Sequence, residues 1–168
     1  MFWDTVLKVL VLTGITFVPA LELRASIPLG IFRYRDSMHW AVVVAICVAA
    51  NIALGFVFYW LLDTFIKWLR HKWAWFSRFY DRQVARVQRK IHKNVERYGE
   101  WGVAVFIGIP LPGTGVISGA IASYALGLDR KKYYIANVLG VLIAAAIVTL
   151  VCLVGDAALQ KWFIKKEL

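Results

Sequence analysis

The sequence predicts an all-α integral membrane protein: an inverted repeat of a re-entrant helical hairpin plus one transmembrane helix, with a basic amphipathic interfacial connector helix between the halves. Three observations carry this prediction. First, 61% of the 168 residues are hydrophobic and 15% aromatic, and the mean hydropathy is +0.65, more than a soluble domain of this size usually carries. Second, Trp40 to Leu62 and Tyr133 to Gly155 are free of charged residues over 23 positions each. As helices of about 34 Å they cross a hydrocarbon core of about 30 Å with some tilt. Third, a shift of 93 residues superimposes Pro19 on Pro112, Asp36 on Asp129, Trp40 on Tyr133 and Asp63 on Asp156. The repeat lies in the order of features rather than in identity, as in duplicated membrane folds.

The whole chain, 1–168, is expected to form one membrane domain. The first repeat, 1–63, holds a hairpin over 2–31 and a span over 40–62. Phe2 to Val18 lacks the basic start and small-residue cleavage site of a signal peptide, so it is read as part of the hairpin. Pro19 and Pro28 bracket a stretch expected to leave the helical path, since proline lacks a donor and disfavours helix just before it. The second repeat, 100–156, repeats the plan with a hairpin over 101–128, broken at Pro110 and Pro112, and a span over 133–155. The arms flanking the breaks are too short to cross alone, so each hairpin is expected to dip in and return to the side it came from. Non-helical backbone at that depth requires burial in protein or a wet cavity, so the two tips are expected to face each other. A hairpin plus one span is an odd number of crossings, which inverts the second half relative to the first. A tail, 157–168, is read as amphipathic.

The connector, 64–99, opens on aromatic residues and then spaces Val84, Val87, Ile91, Val95 and Tyr98 by three and four, with Arg82, Arg86, Arg89, Lys90, Lys93 and Arg97 between them. That pattern predicts a helix lying on the membrane surface, with anionic lipid headgroups rather than nucleic acid as the partner of the +10 net charge. Thirteen Lys and Arg residues fall on the connector side of the membrane and six on the other, which places the connector in the cytoplasm of a multi-pass protein of the cell (inner) membrane. Cys47 and Cys152 sit one in each span as small packing residues.

The candidate site lies in the breaks. Glu22 and Arg24 are the only ionisable residues of the first broken segment, and each costs roughly 2.5 to 3.5 kcal/mol at mid-membrane. In extended backbone, residues two apart point the same way, so both are expected to address one cavity, whereas in a helix they diverge by about 200°. The structural alternative is an ion pair, or Glu22 accepting bonds from the opposite hairpin. In the second break Gly113 and Gly115 allow close backbone approach, and Thr114 is a candidate N-cap for a half-helix whose free amides suit an anion, either a substrate or the Glu22 carboxylate. Gly115, Gly119, Ser123 and Gly127 form a small-residue stripe for helix packing, which Gly55 lacks. Asn51 and Asn137 are secondary candidates that could bond across to the hairpins. His39, His71 and His92 are too dispersed for a metal site, and no nucleophile elbow, Walker loop or zinc-ligand spacing appears. No metal, cofactor or enzymatic activity is expected.

With ELRASIPLGI at Glu22 to Ile31, PLPGTGVISG at Pro110 to Gly119 and the basic connector between them, the chain resembles the small multidrug export family of membrane proteins over nearly its whole length. That family is similar in plan to the DedA-like superfamily, whose members carry paired re-entrant hairpins and are implicated in moving lipid-linked phosphates. The resemblance implies that Glu22, Arg24, Pro28, Pro112, Gly113, Thr114 and Gly115 occupy signature positions. The function expected is that of a transporter or flippase moving a small amphiphilic or lipid-linked phosphate substrate between the hairpin tips. Glu22 would accept a proton or cation, and Arg24 with the Thr114 to Gly115 amides would bind an anion. Efflux of small cationic drugs and a non-transporting scaffold or lipid-binding role are the alternatives. Two hairpins and two spans hardly enclose a cavity unaided, so a homodimer is expected.

Overall fold

The computed structural model describes residues 2–19, 21–73, 82, 99–111 and 113–166, with the side chains of 2 and 156–166 excluded. Connector residues 74–81 and 83–98, Pro112 and the side chains of the tail lie outside the described residues. Those described are helical, with no strand among them. Among the described residues six helices of more than one residue follow in order: α1 (Phe2–Phe17), α2 (Glu22–Arg33), α3 (Trp40–Lys72), α4 (99–108), α5 (Val116–Ala125) and α6 (Arg130–Lys166).

The halves share one plan of helix, break, helix and long helix. In the first, α1 ends before Pro19, and the chain turns through Val18 to Leu21, where the Leu21 and Glu22 amides bond the Val18 carbonyl at 3.2 Å each. The arms then run antiparallel. Thr16 meets Ser26 at 2.7 Å, and four residues away from each, Leu12 packs on Gly30. The α2 helix folds back along α3, with Gly30 against Val43 and the Cys47 thiol meeting the Ser26 and Thr16 hydroxyls. Cys47 is thus a polar contact as well as a packing residue.

One expectation is overturned here. Pro28 lies inside α2 rather than marking a break. Extended backbone from Pro19 to Pro28 would leave a run of amides and carbonyls without partners at membrane depth, whereas a helix loses only the one bond that proline withholds.

The second half repeats the hairpin with α4 and α5. Gly119 packs on Ile107 and Val103, and α4 crosses α6 closely where Gly140 meets Ile107 and the Ala104 carbonyl. A Schellman turn ends α5: the Gly127 amide bonds Tyr124 O at 3.1 Å and the Leu128 amide bonds Ser123 O at 2.9 Å, with Gly127 at φ +69°. Gly127 is therefore a helix stop rather than a member of a packing stripe.

The two long helices run antiparallel, since Ile52 meets Asn137, Gly55 meets Tyr133 and Asp63 meets Arg130. The halves also interlock, with α2 packing on α6 and α5 on α3. Both long helices outrun their apolar stretches. The α3 helix has 33 residues, about 50 Å at 1.5 Å per residue, and carries Asp63, Lys67, Arg70 and Lys72 past the end of the charge-free run. Residues 64–72 thus continue the α3 helix. In α3 and α6 only 33% and 39% of the most apolar window is buried, and Val42, Val57, Trp60, Leu142, Leu150 and Val151 face outward. The core helix of a soluble protein would be mostly covered; these present apolar surface suited to lipid.

Candidate functional site

Glu22 opens α2 with φ of +46°, the one described non-glycine residue at positive φ. A side chain there pays about 1 to 3 kcal/mol in backbone strain, which persists only where the surroundings hold it. They do so from both ends. The Glu22 amide bonds Val18 O at 3.2 Å, and its carbonyl accepts from the Ser26 hydroxyl at 3.2 Å, itself bonded by Thr16. The consequence is directional. The sequence expectation needed extended backbone to aim Glu22 and Arg24 together; instead one left-handed residue re-aims Glu22, and Arg24, two residues into the helix, still reaches the same target.

That target is the second break, and the two side chains hold its opposite sides. Arg24 donates to the carbonyls of Leu111 and Ile109, the latter at 3.2 Å, and to the Thr114 hydroxyl at 2.8 Å. Glu22, only 4% exposed, accepts from the Val116 amide at 3.3 Å, and both its carboxylate oxygens lie against the Gly115 Cα. A cation therefore meets the carbonyls trailing α4 and an anion meets the amides opening α5, the pairing that the helix dipoles favour. This contact, Glu22 accepting a bond from the opposite hairpin, is the one named as the structural alternative to a substrate or proton site.

The expected cap is corrected by the same contact. Gly115, not Thr114, is the N-cap of α5, and no side chain of its own caps it. Thr114 turns the other way, bonding the Ile109 carbonyl and the Leu111 carbonyl at 2.9 Å. With the Glu22 carboxylate at the first α5 amide, the threonine hydroxyl is left to close the break. Gly113 takes φ +85° with open space around it, so its part is the turn itself.

Tyr133, which the sequence marked only as the start of a span, is fully buried beside this site. Its hydroxyl lies 3.0 Å from the Val116 carbonyl and 3.3 Å from the Gly55 carbonyl, tying the first turn of α5 to α3. The signal available was its register with Trp40 across the repeat. Asn137 bonds the Ile52 carbonyl at 3.2 Å and sits on Gly55, so it joins α3 to α6 rather than reaching a hairpin. Asn51 is 1% exposed, and its Oδ1 lacks a hydrogen-bond partner. Among the described residues no cluster suits a metal ion.

The family described as putative small multi-drug export proteins matches residues 22–147, three quarters of the chain, from the start of α2 just after the first break, through the second break and into α6. The chain belongs to that family. No curated protein and no solved structure matches it. The matched region begins on the strained glutamate and contains the residues that Glu22 and Arg24 touch in the second break.

Proposed function

We propose that the protein is a transporter exporting small amphiphilic substrates through the junction of the two breaks, with Glu22 exchanging a proton or cation during the cycle. The observation that carries this reading is Glu22 itself, a buried carboxylate on a strained backbone, capping a half-helix of the other hairpin. Ionised, it holds the tips together as described. Neutralised by a proton or by a cationic substrate, it loses its attraction for the α5 amides, and those amides with Arg24 become available to an anionic group. Lipid-linked phosphates remain within the substrate class on the same chemistry.

Several features support the topology this requires. The arms are short: α1 has 16 residues, α2 has 12 and α5 has 10, about 24, 18 and 15 Å long. All fall below the thickness of the hydrocarbon core, in keeping with re-entrant hairpins. Antiparallel equivalent helices suit an inverted repeat, and the thirteen-to-six charge asymmetry favours a cytoplasmic connector at anionic headgroups. A homodimer would complete the cavity.

A scaffold role is the second reading, favoured by the way backbone groups already partner both charged side chains. Glu22→Gln separates the two. Glutamine keeps an acceptor for the Val116 amide but cannot titrate. In proteoliposomes with an imposed pH gradient, transport of a fluorescent amphiphile is expected to be lost while folded yield is kept. Full transport by Glu22→Gln would remove Glu22 from the mechanism, and lost yield together with lost transport would favour the scaffold.

A further inference from the structure

A second site lies away from the hairpin tips. Where α3, α5 and α6 meet at the connector end, an open pocket of about 520 Å³ is lined by Tyr59, Asp63, Lys67, Tyr124, Asp129 and Arg130. That is a volume typical of small-molecule sites. Asp63, 9% exposed, accepts from Lys67 at 2.8 Å, from Arg130 at 2.6 Å and from the Tyr124 hydroxyl at 3.3 Å. The two cations are 65% and 46% exposed, and each has further N–H donors beyond the one it gives Asp63. Asp63 thus fixes a lysine and an arginine side by side with donors facing the pocket, while Asp129 supplies a separate carboxylate. The lining sums to no net charge but keeps its signs apart.

The internal repeat isolates what is particular here. Its counterpart at the other end of the bundle, of about 160 Å³, is lined among the described residues by Ile31, Phe32, Met38, Trp40 and Leu153 with Arg35 and His39, without a carboxylate. Shifted by 93 residues, Asp36 corresponds to Asp129, but Ser37 corresponds to Arg130. Both carboxylates have counterparts, Asp63 in Asp156 and Asp129 in Asp36, so the two cations, Lys67 against Gln160 and Arg130 against Ser37, set this recess apart.

We infer that this pocket binds a zwitterionic headgroup, a phosphate joined by a short linker to a primary ammonium, with the phosphate on Lys67 and Arg130 and the ammonium on Asp129. Arginine and lysine together suit phosphate oxygens, and a purely anionic ligand would leave Asp129 opposed to it. The position favours a bilayer lipid as the source, because Asp63 directly follows the charge-free run of α3 and Arg130 shortly precedes that of α6, the depth at which headgroups lie. This site does not depend on the transport reading.

The test titrates the purified full chain in detergent with dioleoyl phosphatidylethanolamine, dioleoyl phosphatidylglycerol or water-soluble glycerophosphoethanolamine and follows the unfolding temperature. Phosphatidylethanolamine is expected to half-saturate at a concentration at least ten-fold lower than phosphatidylglycerol. Asp129→Asn is expected to erase that preference, and Arg130→Gln to weaken both lipids at least ten-fold. Lys67→Gln keeps the Asp63 to Arg130 pair and is expected to weaken binding several-fold, which preserves the test if Arg130→Gln folds poorly. Stabilisation by the lipid but not by the soluble compound assigns the bilayer as source; equal stabilisation by the soluble compound keeps the headgroup chemistry and assigns a free ligand. Equal response to the two lipids in the unaltered protein, or a preference that survives Asp129→Asn, overturns the inference.

Discussion

The Glu22 carboxylate lies where a side chain on residue 115 would be: a methyl group at Gly115 would stand 2.5 Å from Oε1 and 2.6 Å from Oε2. Two hairpins 93 residues apart in sequence thus meet with a carboxylate packed directly on backbone. Gly115→Ala is accordingly expected to push the carboxylate off the Val116 amide and destabilise the protein by about 1 to 3 kcal/mol. Glu22→Ala removes the obstacle. The two changes are therefore coupled, and the double variant is expected to be more stable than the sum of the singles by about 1 kcal/mol or more. Denaturant unfolding in detergent measures the cycle, and strict additivity would show that the contact is not made.

Arg24 is the residue for which a conservative change is expected to fail. Its guanidinium reaches Leu111 O, Ile109 O and Thr114 Oγ1 at once, and a lysine ammonium on a flexible stem cannot span three acceptors held in that fork. Arg24→Lys leaves one or two of these acceptors short of a donor. The expected outcome is a lower unfolding temperature and weaker transport than for Lys8→Arg, a change remote from the break. Parity of the two variants in both measurements would exclude the three-way contact.

Glycine packing gives a ranking that reverses the sequence expectation. A small-residue stripe made Gly119 look critical and Gly55 dispensable, yet a methyl at Gly55 would stand 2.4 to 2.6 Å from the Asn137 amide, while one at Gly119 would meet Ile107 side-chain atoms at 2.5 and 2.7 Å. Ile107 can re-pack, but Asn137 is fastened to the Ile52 carbonyl. A methyl at Gly140 would stand 2.7 Å from the Ala104 carbonyl oxygen, which is backbone and yields least. Folded yield is expected to fall in the order Gly119→Ala, Gly55→Ala, Gly140→Ala. Gly14, with open space around it, is expected to gain roughly 0.5 to 1 kcal/mol as alanine through helix propensity. A yield for Gly119→Ala below that of Gly140→Ala would contradict the crossing geometry.

These outcomes show what the sequence made legible. The two spans were readable because a charge-free run of 23 residues has few other fates, and the breaks because proline and glycine punctuate them. Pro28 misled because the cost of one missing helix bond was weighed without the larger cost of unpaired backbone in an apolar setting. The meeting of Glu22 and Arg24 with the second break was foreseen as a possibility, but its means, a left-handed glutamate, leaves no mark in composition or spacing. Close approaches such as Gly55 on Asn137 depend on the rotation of α3 against α6, which a single apolar sequence does not encode in any visible period.

The positive φ of Glu22 yields the sharpest comparison. Glycine at an ordinary helical position costs about 0.5 to 1 kcal/mol relative to alanine. At residue 22 the sign is expected to reverse. Glu22→Ala and Glu22→Gly both lose the carboxylate and its bond to the Val116 amide, and both leave Arg24 in place, so their difference isolates the backbone. Only alanine retains a Cβ at φ +46°, worth about 1 to 2 kcal/mol of strain. Glu22→Gly is therefore expected to be the more stable of the two by about 1 kcal/mol in equilibrium unfolding, with both inactive in transport. If Glu22→Ala proves the more stable, residue 22 is an ordinary helical position, and the strain that fixes the carboxylate at the head of α5 does not exist.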